Sequence, residues 1–239
     1  MLPSRDYDQA ITIFSPEGRL YQVEYALELV NRGAPISGVM SKEGVAFAAN
    51  ETVESILQDP LYSRKIFQFD NHVAACIVGL SSDARVLVEK GRIRCQQNKL
   101  LYNEPLDIEV LGRAISDEAQ VYTQYAGVRP FGVSMIIGGV DTTGGRLLTT
   151  DPSGSYRGYV AVSLGRKSDD GNKALDQKYR DDMSLGEALE LAVEVVKLAA
   201  EGDISAKTIK GALIPSDTKT FTKVPDEEIT RILSKTQTQ

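Results

Sequence analysis

The apolar residues of this 239-residue chain change their spacing in blocks, and the order of these blocks limits the possible folds. Spacings of three and four predict helices, whereas short alternating or continuous apolar runs predict strands. The blocks follow the order helix, strands, two helices, strands, helix, strands and helix. This grouping is α+β, and no Pro-, Gly- or Ser-rich linker divides it. We therefore expect a four-layer αββα sandwich, in which helices flank two antiparallel sheets.

Local signals mark the ends of the predicted helices. The first helix opens at Ser15-Pro16-Glu17-Gly18 and ends at Gly33, where glycine can take a left-handed cap. The second begins at Ser81-Ser82-Asp83, whose side chains offer N-cap oxygens, and ends before Pro105. The others are a helix from Ile108 that fades at Gly127, one opened by the capping box from Ser184 to Glu187, and one starting near Asp226.

The predicted strands form pairs or triplets joined by short polar turns. The strands at residues 133–140, 146–150 and 156–164 are expected to form a three-stranded antiparallel meander. Residues 166 to 172, which follow it, are predicted to be a flexible polar loop. The predicted strands are residues 36–40, 45–49, 66–69, 73–78, 133–140, 146–150, 156–164, 209–214 and 220–223.

Composition excludes several classes of partner. The net charge is −6 and no run of five basic residues occurs, so neither nucleic acid nor an anionic membrane is the expected partner. No secretory signal and no apolar stretch of bilayer-spanning length is found. The two cysteines, Cys76 and Cys95, are expected to be small buried hydrophobes in a reducing cytoplasm.

The N-terminal block from Tyr7 to Glu28 joins an aromatic–acid pair, a Ser-Pro turn and a helical apolar stripe. This block resembles the signature of α-type proteasome subunits, and the archaeal α subunit is the most similar type. The signature positions are Tyr7, Asp8, Phe14, Pro16, Gly18, Gln22, Glu24 and Tyr25. Further matches, which extend the likeness to about Leu233, are Lys65 before Ile66, Gly79-Leu80 before Asp83-Ala84-Arg85, and Tyr122 to Tyr125 before Arg129-Pro130-Phe131-Gly132.

The resemblance implies the N-terminal-nucleophile hydrolase fold, with an N-terminal gate segment and extension helix at residues 1–33 and a sandwich core at residues 34–239. Catalytic relatives need a nucleophile at the start of the first core strand, where this chain has Ala34 and Pro35. A non-catalytic subunit without cofactor or metal is therefore expected. Two alternatives stay open: a hydrolase with its own active site, and a scaffold ring without a protease partner.

Other chemistry has weak support in the sequence. The single His72 stands at a hairpin turn, and a lone histidine is more often structural than catalytic. The pairs Asp169-Asp170 and Asp181-Asp182 have no nearby histidine or cysteine, so a solvated face is expected rather than a metal site. No phosphate-binding glycine motif is present.

The resemblance also implies three sets of site residues and their partners. Seven α subunits would form a ring, stack on β subunits, admit unfolded polypeptides and dock an ATPase or other activator through its C-terminal tails. The gate cluster is Tyr7, Asp8, Pro16 and Tyr25; the activator-tail pocket is Lys65, Gly79 and Leu80; the ring of the axial channel is Tyr125, Ala126, Gly127 and Val128.

Overall fold

The computed structural model describes residues 12–51, 57, 59, 64–202 and 204–235. Within this part of the chain, six helices and ten strands are present. The helices are α1 (Tyr21–Arg32), α2 (Ser81–Tyr102), α3 (Ile108–Val121), α4 (Ser168–Lys178), α5 (Leu185–Ala199) and α6 (Asp226–Lys235). The strands are β1 (Ile36–Ser41), β2 (Gly44–Asn50), β3 (Ile66–Asp70), β4 (Val73–Gly79), β5 (Val133–Asp141), β6 (Gly144–Thr150), β7 (Tyr156–Gly158), β8 (Ala161–Leu164), β9 (Ile209–Pro215) and β10 (Thr222–Lys223).

The strands form two five-stranded antiparallel sheets. The first has the order β10-β9-β2-β1-β8, and the second has the order β3-β4-β5-β6-β7. Strand β2 is buried along its whole length because both of its faces are covered. Phe47 points into the layer between the sheets, whereas its neighbours Ala46 and Ala48 pack against helices.

Three apolar clusters separate the layers and confirm the αββα sandwich. One cluster fills the space between the two sheets and includes Phe47 and Ile136. Another joins the outer face of the second sheet to α2 and α3, and a third joins the outer face of the first sheet to α4, α5 and α6. Helix α1 contacts β4 and β5. Successive side chains of a strand point to opposite faces of its sheet, so each sheet contributes to the cluster between the sheets and to one helix-facing cluster. The shared cluster between the sheets is what holds the two sheets together.

The predicted meander is wrong in its last strand. Residues 156–158 form β7 and pair with β6, whereas residues 161–164 form β8 and pair with β1 of the other sheet. The chain therefore crosses between the sheets at Tyr159 and Val160, which are both exposed. A continuous extended run in the sequence carries no signal of this change of partner, since each short piece satisfies the strand pattern by itself.

The predicted start and cap of the first helix are also wrong. The Gly18 amide donates to the Ser15 carbonyl at 2.8 Å, which closes a turn with Pro16 at its second position, and α1 begins only at Tyr21. Gly33 is extended, with φ −65° and ψ 154°, rather than left-handed. Glycine is needed there for space, because a Cβ on Gly33 would lie 2.4 Å from Val78 Cγ2.

Two further predictions about α2 and α4 are corrected, and one about α5 is confirmed. Leu80, which has no side-chain acceptor, is the N-cap of α2, and the predicted cap residues Ser81, Ser82 and Asp83 lie inside the helix. The predicted loop at residues 166–172 contains the start of α4 at Ser168. The capping box is present as predicted, with Ser184 Oγ accepting from the Glu187 amide and the Glu187 carboxylate accepting from the Ser184 amide.

Candidate functional site

Lys65 is a half-buried cation at the residue before β3. Its Nζ donates to the Ala34 carbonyl at 2.9 Å, and its backbone amide donates to Glu51 Oε1 at 2.7 Å. Burial lowers the pKa of Lys65 to about 8, although the nearby Glu51 carboxylate acts in the opposite direction. An ammonium has three N–H donors, so it can donate to an incoming carboxylate in addition to Ala34.

The predicted pocket residues Lys65 and Gly79 are joined through the segment between α1 and β1. Ala34 in that segment accepts the Lys65 bond, and a Cβ on the preceding Gly33 would lie 3.3 Å from the Gly79 amide nitrogen. Gly79 has a φ of +115°, which favours glycine, and Leu80 after it is 37% exposed. The Leu80 amide already donates to the Gly132 carbonyl at 2.8 Å, so it is committed within the chain.

Arg166 is a second cation at this place, and the sequence analysis missed it. Its amide donates to the Gly33 carbonyl at 2.8 Å and its Nη2 donates to the Arg32 carbonyl at 3.2 Å. Arg166 also forms an ion pair with Glu201, and its charge contributes to the lowered pKa of Lys65. No local motif signals these contacts, because Arg166 lies more than 130 residues from the carbonyls that it binds. Two cations beside the α1–β1 segment provide favourable surroundings for a carboxylate.

The predicted gate cluster is described only in part. Tyr7 and Asp8 lie outside the described residues. Pro16 is exposed in the turn from Ser15 to Gly18, and Tyr25 is 51% exposed on α1. The ring of Tyr25 stacks on that of Tyr21 with centroids 6.5 Å apart. Pro16 and Tyr25 therefore both present surface to solvent near the start of α1.

The four predicted channel residues form an exposed tip between α3 and β5. Tyr125 is 65% exposed, and Ala126, Gly127 and Val128 are exposed as well. Gly127 has a φ of +85°, and a Cβ there would meet nothing within 4 Å. The tip is therefore a projecting turn.

The other residues considered for chemistry in the sequence are either buried in the core or exposed to solvent. His72 is buried, and its Nε2 lies 2.8 Å from the Leu106 carbonyl. Both cysteines are buried, and burial raises the pKa of Cys95 to about 12 and that of Cys76 well above its ordinary value. Asp169 and Asp170 are exposed on the first turn of α4. Over the described ranges, no group of three His, Cys, Asp or Glu side chains could hold a metal ion.

None of the helices within the described part of the chain is both long enough and apolar enough to cross a bilayer.

Sequence comparison finds the same family over nearly the whole chain. The proteasome subunit family matches residues 30–214, and the N-terminal signature of α-type proteasome subunits matches residues 7–28. A proteasome α subunit from Methanothermobacter thermautotrophicus is 45% identical over 228 residues, which is 95% of this chain and 92% of the relative. Proteasome α subunits from Methanocaldococcus jannaschii and Methanopyrus kandleri are 45% and 44% identical, cover 98% and 93% of this chain, and are themselves 90% covered. The chain belongs to the proteasome α-subunit family.

Proposed function

We propose that this chain is a non-catalytic α-type subunit of a 20S proteasome core. In this role it forms an outer seven-membered ring, gates the passage of unfolded polypeptides to the β-subunit chamber and docks a regulatory ATPase. The observation that carries the proposal is the α-type N-terminal signature together with Ala34, which lies two residues before the first core strand.

The proposed lack of catalysis rests on chemistry at residue 34. A hydrolase of this fold needs a side-chain nucleophile and a free α-amine on the same residue. Ala34 has a methyl group, and its nitrogen lies in the peptide bond to Gly33. The Lys65 ammonium that approaches this residue donates to the Ala34 carbonyl, so the lysine stabilises the backbone there.

Activator docking is proposed for the surface formed by Lys65, Gly79 and Leu80, to which we add Arg166. A peptide C-terminus carries a carboxylate, and this surface offers two cations held by neighbouring backbone carbonyls, beside the carboxylates of Glu51 and Glu201. The exposed Leu80 side chain supplies apolar surface beside them. This combination suits a tail that ends in a hydrophobic residue, a tyrosine and one further residue with a free carboxylate.

Gating is proposed for the segment before α1, and the width of the channel for residues 125–128. The Pro16 turn supports the first role because it fixes the direction in which the preceding residues leave the body of the subunit. The exposed tip at residues 125–128 supports the second, since small residues there let the backbone approach an axis closely.

Assembly is supported by large apolar side chains that the isolated chain leaves in water. Several of them lie on the layer formed by α2 and α3. These exposed residues are Val86, Ile93, Leu100, Leu101, Tyr102, Val110 and Val121.

A hydrolase with its own active site is the second candidate function. The observation that favours it is the amine of Lys65, whose lowered pKa would suit a general base, next to the place of the family's nucleophile. Peptidase assays on the purified chain separate the two candidates. We expect no turnover of fluorogenic peptides by the chain alone and turnover once β subunits are added; activity of the chain alone that Lys65→Ala abolishes would establish the hydrolase.

Two further experiments test the docking and gating roles. Lys65→Ala should reduce activator-stimulated degradation in the αβ complex while the rings still assemble. Lys173→Ala is the matched control, because Lys173 is an exposed lysine of α4. Deletion of residues 1–12 should raise peptide hydrolysis by the αβ complex without activator, and an unchanged rate would refute the gate assignment.

A further inference from the structure

The carboxylate of Asp83 lies at a meeting point of three segments. Asp83 is on the first turn of α2 and its side chain is 10% exposed. Arg129 binds both of its oxygens, with Nη1 to Oδ2 at 2.5 Å and Nη2 to Oδ1 at 2.8 Å, and the Gly132 amide donates to Oδ2 at 2.8 Å. The guanidinium first, and the Gly132 amide second, hold the pKa of Asp83 below its ordinary value. A bidentate pair at a nearly buried carboxylate fixes geometry more strongly than a surface ion pair does.

Gly132 is held from several sides at once. While its amide binds Asp83, its carbonyl accepts from the Leu80 amide at 2.8 Å. Its Cα faces α1 and the β4–α2 junction, because a Cβ there would lie 2.9 Å from Leu29 Cδ2 and 3.1 Å from Leu80 Cδ1. The residue that ends the loop after α3 is therefore locked to α1, to Leu80 and to the start of α2.

The other end of the loop is held by local contacts. Thr123 Oγ1 donates to the Gln120 carbonyl at 2.7 Å, and the rings of Tyr122 and Phe131 lie 4.5 Å apart between centroids. Between these anchors the tip at residues 125–128 is exposed. Arg129 follows the tip directly, so its attachment to Asp83 is the first contact with the core on that side of the tip.

We propose that Asp83 and Arg129 are positioning residues that fix the 125–128 tip and thereby determine how wide a polypeptide the axial channel admits. This inference rests on the proposed function, in which the tips of seven subunits line the channel. A loop that loses one charged anchor opens locally more often, because a hydrogen bond to a charged group stabilises more than one between neutral groups. Tips that move in this way leave a wider passage, so a chain that carries a bulky loop passes more easily.

Amide hydrogen exchange on the ring of full-length chains tests, independently of proteolysis, whether Asp83 and Arg129 hold the tip in place. In Asp83→Asn, we expect two hydrogen-bonded amides of this loop to exchange roughly tenfold or more faster: that of Gln124, which donates to the Val121 carbonyl beside the tip, and that of Gly132, which donates to Asp83 Oδ2. In Arg129→Gln, the Gln124 amide should exchange faster, whereas the Gly132 amide, which keeps its Asp83 acceptor, should stay protected. Arg180→Gln is the control, because Arg180 pairs with Glu187 and is as exposed as Arg129, at 61% against 59%. Unchanged exchange of the Gln124 amide in both variants would overturn the proposal.

Degradation by the αβ complex then tests the consequence for substrates. The probes are a short fluorogenic peptide and an unfolded polypeptide closed into a loop by a disulfide. Asp83→Asn and Arg129→Gln should raise the rate for the looped substrate relative to the short peptide, and Arg180→Gln should leave that ratio unchanged. If the Gln124 amide exchanges faster but the ratio does not rise, residues 125–128 do not line the channel. This part of the proposed function is then wrong, although the attachment of the loop by Asp83 and Arg129 is established.

Discussion

The lowered pKa of Lys65 makes a quantitative prediction about tail docking. If a free C-terminal carboxylate binds the ammonium form only, its affinity follows the charged fraction of Lys65 in the unliganded ring. With a pKa of about 8, that fraction falls from about 90% at pH 7 to about 10% at pH 9. The dissociation constant should therefore rise about tenfold between these pH values, which is about 1.4 kcal/mol.

Fluorescence anisotropy of a labelled peptide on the assembled ring measures this directly. The peptide is blocked at its N-terminus and ends in a hydrophobic residue, a tyrosine and one further residue with a free carboxylate. The carboxylate stays ionised and the phenol stays mostly protonated between pH 7 and 9, so the slope reports mainly the protein. Lys65→Arg keeps its charge throughout this range and should bind with no slope, and Lys65→Ala should bind weakly at every pH.

Two results would refute the reasoning. A wild-type dissociation constant that stays the same from pH 7 to pH 9 would show that the carboxylate does not depend on Lys65. An equal slope in Lys65→Arg would show that another group titrates. The same peptide with an amidated C-terminus serves as a control, since it should bind weakly and without a pH dependence in all three proteins.

The structure makes three other predictions, all measured by chemical denaturation. Gly79→Ala should destabilise the fold by more than about 3 kcal/mol, because its Cβ would lie 2.1 Å from the Gly132 carbonyl oxygen. Gly127→Ala, also at positive φ but in open space, should cost only about 1 kcal/mol. Equal losses of stability in the two variants would contradict the close contact at Gly79. The pKa of Lys65 in the folded chain lies below its ordinary value, so above pH 8 the unfolded chain binds more protons than the folded chain does. The stability of the wild type relative to Lys65→Met should therefore rise from pH 8 to 10 by up to roughly 2 kcal/mol. A fall in this relative stability would contradict the direction of the pKa shift. Ser184→Ala should cost about 1 kcal/mol through loss of the α5 cap, and no loss would show that the capping box is dispensable.

The sequence predicted those features that depend on local pattern. The continuous apolar runs of β2 and β4 correspond to strands buried on both faces, and the helical stripes of α3 and α5 correspond to buried faces in the sandwich. Helix α4 was missed because its only apolar residues are Ala174 and Leu175, so it has no stripe to detect. Its position is set by tertiary packing, since a Cβ on Gly171 would lie 2.9 Å from Ser163 Oγ and 3.0 Å from Val195 Cγ1.

The candidate site shows the same division between local and distant information. The family resemblance found Lys65, Gly79 and Leu80 by position, but it gave no reason for their proximity. That reason is the Gly33–Ala34 segment, which accepts the Lys65 bond and lies against Gly79. Arg166 and the Asp83–Arg129 pair join residues far apart in the chain, and no spacing rule connects such partners.

The central claim is that this protein assembles into a ring and that peptide hydrolysis is catalysed by the β subunits. Native mass spectrometry of the purified chain, followed by a peptidase assay on the same sample, tests it most directly. We expect assemblies whose mass is seven times that of the chain, or a multiple of this, with no peptide turnover until β subunits are added. A monomer that hydrolyses peptides by itself would contradict the account.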